Sequence, residues 1–534
     1  MTQSSIPRSF PAYPHWKRIG LHPHHGISVP LFSIHSKKSC GIGEFPDLVL
    51  LFKWLKGVHM DMIQILPIND SGVDISPYNA ISGFALHPNF LGLAYLPYVN
   101  SHTNLKEIIL ELQSYNAATG IAYKQVTEKK HTFLRLYFSL YFSHFQKMQK
   151  YKSFVRKANA WLQPYALFKS LKEKFENTAW WTWPKSYQFL TTEQLKKMYF
   201  DYENSMNFHI FVQFLCVSQL RAVYKQAKLS HILLKGDIPF LFNRDSVEVW
   251  VSHSLFDFRY TIGSPPDKMN PEGQNWGFPT YRWVTQKKDI FYLWKSKLQF
   301  AENFYHCYRI DHAIGLYRIW KISEKKGATK GVFSPKSTSY YLKEGHKRLR
   351  YVLAMTKMLP IAEDLGYDIY PIRDNIAKIG IPGTRVMRWE HTETYNYIPT
   401  TNFPSCSLTT VGTHDTSSLS LWWSSEKREA HAYAKFMGWE YNTNLSTFQR
   451  YEILRDAHSS RSLLHINPIQ EYLAFFVELS HSHPKKDQIN IPGTNAASNW
   501  TYRCKPSIEE LNAHSGLKSL IQTIIKPVSY THLR

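Results

Sequence analysis

The feature that most constrains this chain is a short apolar run that ends abruptly in charged side chains. Residues 306–320 read HCYRIDHAIGLYRIW, in which Tyr308 and Ile310 are typical of a buried strand and Asp311 follows directly. A buried strand that ends at a carboxylate is typical of a (β/α)8 barrel, where the C-terminal strand ends carry the chemistry. Taken alone, this stretch fits a structural ion pair between Arg309 and Asp311 equally well.

The same pattern recurs twice further along the chain. Residues 360–366 read PIAEDLG and place Glu363 after a short apolar start, and residues 407–415 read SLTTVGTHD and place Asp415 after a β-rich run. A retaining glycosidase needs a carboxylate nucleophile and a carboxylic acid/base about 5–5.5 Å apart. Many sugar sites add a third acid that holds ring hydroxyls. Three acids on three strand ends therefore favour a glycoside-processing site over three separate structural roles.

Three motifs carry a resemblance to a known family, namely RIDHAIGLYRIW, IAEDLG and GTHDTSSLSLWW. Together they resemble the family-77 4-α-glucanotransferases, also called amylomaltases or disproportionating enzymes, from about residue 19 to about residue 505. The resemblance implies that Asp311 is the nucleophile, Glu363 the general acid/base and Asp415 the transition-state stabiliser. The RIW and HDTS variants are more similar to the plant cytosolic branch and its bacterial relatives than to the shortest amylomaltases.

Six further side chains are expected to contact the glucan. They are Arg309 and His414 beside the acids, Asp364 after Glu363, Ser76 and Tyr78 in an SPY element similar to that of the family, and Trp276 in GQNWG. The segment 259–282 has no regular periodicity and resembles the family's lid loop over the acceptor sites. Loops of this length are usually functional or disordered. The position of Tyr78 fits a packing residue equally well. The position of Trp276, next to a glycine on a loop, favours a role in stacking on sugar.

The strand and helix patterns predict an α/β fold. This is a (β/α)8 TIM barrel with a helical insertion after strand two and further helical insertions late in the barrel. Strand candidates occupy 26–32, 62–68, 232–242, the runs before Asp311 and Glu363, 385–389, 407–414 and 487–494. We expect three regions: the barrel start at 1–99, a helical insertion subdomain at 100–204 and the barrel remainder at 205–534. The remainder contains the lid loop, a polar loop at 321–345 and a helical insertion at about 425–485.

Composition argues against several other classes of protein. The net charge is +23, but Lys and Arg are scattered and no nucleic-acid-binding motif occurs, so we expect no nucleic-acid partner. Five cysteines without CxxC spacing argue against disulfides and zinc. The sequence has no signal peptide and no run of membrane-spanning length. We expect a cytoplasmic protein that acts without metal or organic cofactor on α-1,4-glucan donors and acceptors, such as maltodextrins and glycogen.

The expected reaction is a double displacement in which Glu363 protonates the leaving oxygen while Asp311 attacks the anomeric carbon. We expect Arg309 to lower the pKa of Asp311, and burial to raise the pKa of Glu363. The same acids serve hydrolysis, so an α-amylase-type retaining hydrolase is an alternative. A non-catalytic glucan-binding barrel is an alternative of another class, against which three intact acids argue.

Overall fold

Eight parallel strands close into a barrel in the computed structural model, which describes residues 6–267, 270–366 and 369–526. The described strands are β1 (His24–Ser28), β2 (Met62–Gln64), β3 (Leu233–Ile238), β4 (Phe256–Ser264), β5 (Gln274–Tyr281), β6 (Cys307–Ile310), β7 (Ile319–Ser323), β8 (Val332–Ser334), β9 (Leu359–Ala362), β10 (Gly383–Val386), β11 (Ser407–Thr410) and β12 (Leu464–Pro468). The order around the barrel is β1-β12-β11-β10-β9-β6-β3-β2. The predicted (β/α)8 barrel is thereby confirmed.

Helices surround the barrel and fill the long connections between its strands. They are α1 (Tyr13–Ile19), α2 (Asp47–Gly57), α3 (Thr103–Ser114), α4 (Tyr123–Phe145), α5 (Gln149–Lys174), α6 (Lys185–Gln188), α7 (Thr192–Asp201), α8 (Glu203–Leu229), α9 (Val247–Val251), α10 (Lys287–Ala301), α11 (Thr338–Met355), α12 (Tyr370–Ala377), α13 (Leu419–Ser425), α14 (Lys427–Phe436), α15 (Thr447–Ser459), α16 (Ile469–Leu473), α17 (Ile508–Ala513) and α18 (Ser515–Ile525). Within the described ranges, none of these helices is long and apolar enough to cross a membrane.

The barrel strands are buried on both faces, because side chains fill the interior and helices cover the outside. Every residue of β6 and of β9 is buried. In their parallel register Ile310 lies opposite Ala362, the last residue of each strand. The residues that follow, Asp311 and Glu363, therefore leave the barrel side by side at its C-terminal rim.

The predicted strand eight is wrong. The last barrel strand is β12, whereas a short 3-10 helix at Pro484–Asp487 and an irregular segment occupy the predicted range 487–494. β12 was missed because His465 and Asn467 interrupt its apolar pattern. Their polar atoms are satisfied inside the fold, since His465 Nδ1 lies 2.9 Å from the Ala457 carbonyl and the Asn467 side chain accepts from a backbone N–H. The interval 425–485, expected to be helical, is therefore interrupted by a strand.

The segment predicted as an irregular lid loop, 259–282, is mostly a β-hairpin. β4 and β5 pair antiparallel, and β7 and β8 extend them into a four-stranded sheet of order β5-β4-β7-β8. Two register shifts in the hairpin break the regular alternation that would have marked it as strand. β7 and β8 likewise occupy part of the predicted polar loop 321–345, and α11 begins within it. Residues 268–269 lie outside the described residues.

Helices α3 to α7 follow one another after strand two, between residues 103 and 201. α8, which is 27 residues long, connects them to β3. The grouping of these helices into a separate subdomain at 100–204, with 1–99 and 205–534 as the other regions, stays a prediction.

A buried ion pair joins the inserted helices to the barrel. Lys130 of α4 is 1% exposed, and its ammonium donates to Glu44 and to the carbonyls of Asn89 and Leu91. Glu44 is fully buried, and burial raises its pKa to about 7 despite the attraction of Lys130. Removing one partner of such a pair leaves an uncompensated buried group.

Lys130→Met is expected to lower the free energy of unfolding by about 3–5 kcal/mol, because Glu44 and two carbonyls lose their donor. Denaturant unfolding followed by circular dichroism measures this change. The matched control is Lys129→Met, since Lys129 is 35% exposed and pairs with Glu111 at the surface. The control should change stability far less than Lys130→Met, because surface ion pairs contribute little. A similar loss in both variants would contradict the role given to the buried pair.

Candidate active site

One guanidinium, that of Arg309, lies among three carboxylates at the C-terminal rim. Its Nη1 donates to Asp237 at 2.8 and 2.9 Å and to Asp311 at 2.8 Å, and its Nη2 lies 2.8 Å from Glu363. The three acids come from the ends of the neighbouring strands β3, β6 and β9. Because the Arg309 guanidinium bonds to all three acids, the carboxyl groups of Asp311 and Glu363 lie close together.

A second part of the site is built at the end of β11. His414 Nε2 lies 3.2 Å from Asp415, and the Tyr78 hydroxyl lies 2.9 Å from the same nitrogen. The Tyr78 hydroxyl also donates to Asp237 at 2.8 Å, and the Tyr78 ring stacks on His414. Tyr78 therefore joins the Arg309 cluster to Asp415 in one continuous network of hydrogen bonds.

Asn490 holds Asp415 from the other side. Its amide donates to Asp415 at 2.6 Å, and its backbone N–H donates to the His414 carbonyl at 3.1 Å. Burial alone would raise the pKa of Asp415, but His414 and Asn490 outweigh it and hold that pKa at about 2. Burial would lower the pKa of His414, and the Asp415 charge outweighs it and raises that pKa. Asp415 is therefore an ionised, firmly positioned acceptor.

The pKa of Asp311 is raised and that of Glu363 is lowered, which is the reverse of the predicted order. Burial and repulsion from Glu363 and Asp237 outweigh Arg309 and raise the pKa of Asp311 to about 8. Burial would also raise the pKa of Glu363, but Arg309 and the His312 backbone N–H, which donates at 2.7 Å, lower it. Glu363 accepts hydrogen bonds from both Arg309 and His312, so the surroundings favour its charged form over that of Asp311.

Two aromatic side chains, His312 and Trp276, meet next to this pair. His312 has a left-handed backbone with φ of 49°, a strained conformation that concentrates at functional sites. Its Nε2 is buried and has no hydrogen-bond partner among the described residues. Burial lowers the pKa of His312 to about 4, so the ring is neutral. The edge of Trp276 meets this ring, with centroids 4.8 Å apart, so β5 brings Trp276 to the rim.

Two of the predicted contact residues are not brought to the carboxylates. Asp364 is 1% exposed and faces away from the site, where it accepts from the Thr384 backbone N–H and from Arg385. It follows Glu363 directly, and consecutive side chains leaving a strand point in opposite directions. Ser76 lies on the Tyr78 loop, and no described side-chain hydrogen bond joins it to the acids; its backbone N–H is bound by Asp74.

Three residues outside the predicted set belong to the network: Asp237, His312 and Asn490. The rule that identified the other acids also applies to Asp237, which lies near the end of β3. His312 is adjacent to Asp311 in sequence. No sequence pattern marked Asn490, because Asn490 lies in a loop after the last barrel strand.

A possible metal-binding group lies at the opposite end of the barrel. His22, His24 and Asp61 present ligand atoms within 4.8 Å of one another. His24 begins β1 and Asp61 precedes β2, which places the group at the N-terminal end of the strands. A hydrogen bond of 2.6 Å between His24 and Asp61 already satisfies both side chains. The group therefore takes no part in the chemistry of the rim.

A pair of carboxyl groups at the C-terminal rim of a (β/α)8 barrel is an arrangement that enzymes acting on glycosides use. The 4-alpha-glucanotransferase family, glycoside hydrolase family 77, matches residues 29–509. The chain belongs to this family.

The relatives support the same assignment. The 4-alpha-glucanotransferase of Chlamydia muridarum (strain MoPn / Nigg) is 38% identical over 512 residues, which cover 95% of this chain and 96% of the relative. A 4-alpha-glucanotransferase of Oryza sativa subsp. japonica is 34% identical over 307 residues, 56% of this chain and 32% of the relative. Because this plant match is partial, the predicted closeness to the plant cytosolic branch stays a prediction.

The solved amylomaltase from Streptococcus agalactiae in complex with acarbose superimposes with a TM-score of 0.81 at 23% identity. The match covers 94% of this chain and 99% of that chain. At this identity the likeness concerns the fold alone.

Asp311→Asn is expected to raise the melting temperature, and the gain should grow with pH. A carboxyl whose folded pKa is about 8 keeps its proton while the unfolded chain has lost it, so the folded wild type is progressively destabilised as pH rises towards 8. The neutral amide removes this penalty. Thermal unfolding between about pH 5 and pH 9 measures it, with the exposed Asp201→Asn as control. A gain that is flat with pH would contradict the raised pKa.

Proposed function

We propose that this protein is a 4-α-glucanotransferase that moves segments of α-1,4-linked glucan between maltodextrins or glycogen-type chains. The observation that carries this proposal is the pair Asp311 and Glu363, which bind one guanidinium, that of Arg309, at the barrel rim. A nucleophile and an acid/base in one space are what a retaining double displacement requires. Membership of the family, over nearly the full length of the relatives, supports transfer over hydrolysis.

In the first step Asp311 attacks the anomeric carbon and Glu363 gives its proton to the leaving glycosidic oxygen. Because the pKa of Asp311 is raised and that of Glu363 is lowered, this step requires a proton to pass from Asp311 to Glu363 as glucan binds. A glycosidic oxygen beside Glu363 provides an acceptor for that proton. Arg309, already bonded to Asp311, stabilises the carboxylate that remains.

In the second step the 4-hydroxyl of another glucan attacks the glycosyl-enzyme. Glu363, ionised after the first step, takes the hydroxyl proton, and Asp311 leaves as a carboxylate. Two inversions restore the α configuration, and each broken linkage is replaced by a new one. No step in this scheme requires a metal or an organic cofactor.

The remaining residues bind and position the sugar. Asp415, kept ionised by His414 and Asn490, accepts hydrogen bonds from ring hydroxyls that strengthen in the transition state. His312 offers its unpartnered Nε2 to another hydroxyl. Trp276 supplies a stacking face beside it. Tyr78 and Arg309 position the acids, and Ser76, on the same loop as Tyr78, is proposed to meet the outer part of the donor glucan.

The proposed location is the cytoplasm. All five cysteines are free thiols, and four of them are buried. Unpaired thiols persist in a reducing compartment, where disulfides are rare.

Incubation with maltotriose should yield glucose together with oligomers longer than the substrate. The total number of reducing ends should stay nearly constant, because transfer replaces every linkage that it breaks. Chromatography run beside a reducing-sugar assay measures both quantities. An increase in reducing ends in step with cleavage, with no product longer than maltotriose, would identify the amylase-type hydrolase instead.

Asp311→Asn and Glu363→Gln should each reduce transfer from maltotriose by at least about 10³-fold, because each residue takes part in bond making or proton transfer. A donor with a fluoride leaving group, α-maltosyl fluoride, separates their roles. Fluoride leaves without a proton, so the glycosylation step should survive in Glu363→Gln and stay lost in Asp311→Asn. The exposed Glu440→Gln serves as control. Loss of fluoride release in both variants would reject the assignment of Glu363 as acid.

A further inference from the structure

A cavity of about 780 Å³ lies between the four-stranded sheet and α11. Its walls come from the end of β5 and the turn after it, from the segment that follows Asp311, and from α11. Neither Asp311 nor Glu363 nor Asp415 lines it. The volume is within the range of about 300–1,000 Å³ that is typical of sites for small organic ligands.

The wall contains a buried arginine whose neighbouring acid is bonded to other cations. Arg348 of α11 is 7% exposed, its Nη1 donates to the Leu316 carbonyl at 2.8 Å, and its guanidinium lies 4.4 Å from the Trp283 ring. Its Nε is buried without a hydrogen-bond partner, and no carboxylate in the described part of the chain forms an ion pair with it. Burial lowers the pKa of Arg348. The Glu344 charge raises the pKa of Arg348 against that burial, but the Glu344 carboxylate pairs directly with Lys287 and Lys347 and not with Arg348.

The cavity as a whole is also strongly basic. Apart from Arg318, which packs on the Phe333 ring, five basic side chains line it against two acids among the described residues: Arg259, Arg282, Lys287, Lys321 and Arg348, against Asp257 and Glu344. Both acids are already engaged, because Arg259 lies 2.7 Å from Asp257 and Lys287 lies 3.2 Å from Glu344. A positive surplus therefore remains beside Arg348.

We propose that this cavity, the Arg348 cavity, binds a small phosphorylated organic molecule with its phosphate on Arg348 and Arg282. Guanidinium groups match phosphate oxygens in geometry as well as charge. The cavity is larger than phosphate alone requires, and the hydroxyls of Thr285 and Ser334 on its wall suit a sugar or ribose. A sugar phosphate and a nucleotide share this chemistry, and the experiment below distinguishes them.

The position of the cavity links its occupancy to the active site. Residues 280–285 continue β5, which carries Trp276, and residues 315–319 continue the chain from Asp311 and His312. A ligand that fills the space would bridge both segments. If the proposed transfer activity holds, its rate should therefore change when the cavity is occupied.

Calorimetric titration of the full chain at constant ionic strength tests the binding, with glucose 1-phosphate, AMP, inorganic phosphate and uncharged glucose as probes. We expect saturable binding of one of the two organic phosphates and none of glucose. Arg348→Met should weaken that binding at least about tenfold, because the charge-assisted bonds to phosphate are lost. Arg350→Met, an exposed position on the same helix, should bind like the wild type.

Several outcomes would overturn the proposal. They are the absence of saturable binding, equal binding by Arg348→Met and Arg350→Met, and inorganic phosphate binding as tightly as either organic phosphate. Arg282→Gln, at an exposed position, should weaken binding severalfold and keeps the test valid if Arg348→Met does not fold. Binding is measured without any transfer assay. If the chain binds the phosphate but transfers no glucan, the proposed function is rejected and the binding proposal stands.

Discussion

The rim of this barrel depends on one buried guanidinium. Arg309 bonds to Asp237, Asp311 and Glu363, which come from three neighbouring strands. Two unit charges 4 Å apart interact by about 4 kcal/mol at an effective dielectric constant of about 20, so three bare carboxylates would repel one another strongly. One positive charge cannot neutralise three negative ones. Burial, together with repulsion from Glu363 and Asp237, therefore outweighs Arg309 and raises the pKa of Asp311.

The cluster exists because the barrel register forces it. β3, β6 and β9 are adjacent and parallel, and Arg309 lies opposite Asp237 on one side and Ile361 on the other. The buried strands cannot slide without exposing their apolar residues, so the acids cannot separate to relieve their repulsion. The fold thus maintains an unfavourable arrangement of carboxylates, which flexible side chains on a protein surface would avoid by moving apart. Active sites commonly have this conflict between stability and chemistry.

The sequence predicted the parts of the fold that have a regular pattern. Barrel strands with continuous apolar runs, such as those before Asp311 and Glu363, were recognisable because parallel strands are buried on both faces. β12 was not, because buried His465 and Asn467 are satisfied by hydrogen bonds that only the folded chain provides. The hairpin of β4 and β5 was missed because its irregular register hides the alternation of strands.

The site shows the same division between local and long-range information. Asp311, Glu363 and Asp415 were predicted because each belongs to a strand end with a local pattern. The contact of Asn490 with Asp415 joins residues 75 positions apart, and nothing in the local sequence marks it. Which of Asp311 and Glu363 has the higher pKa also could not be predicted from the sequence. It depends on Arg309 and on the His312 backbone N–H, both of which lower the pKa of Glu363.

Hydrolysis and transfer use the same acids, so the difference between them must come from what surrounds Asp311 and Glu363. In this protein the surroundings are segments outside the barrel: the β5 strand that carries Trp276, and the loop that carries Asn490. Both reach the rim from long connections, which vary more freely than barrel strands. We expect segments of this kind to shield a glycosyl-enzyme on Asp311 from water while still binding a second glucan. We therefore expect control of the acceptor to reside in these connections, with the barrel supplying the chemistry common to both reactions.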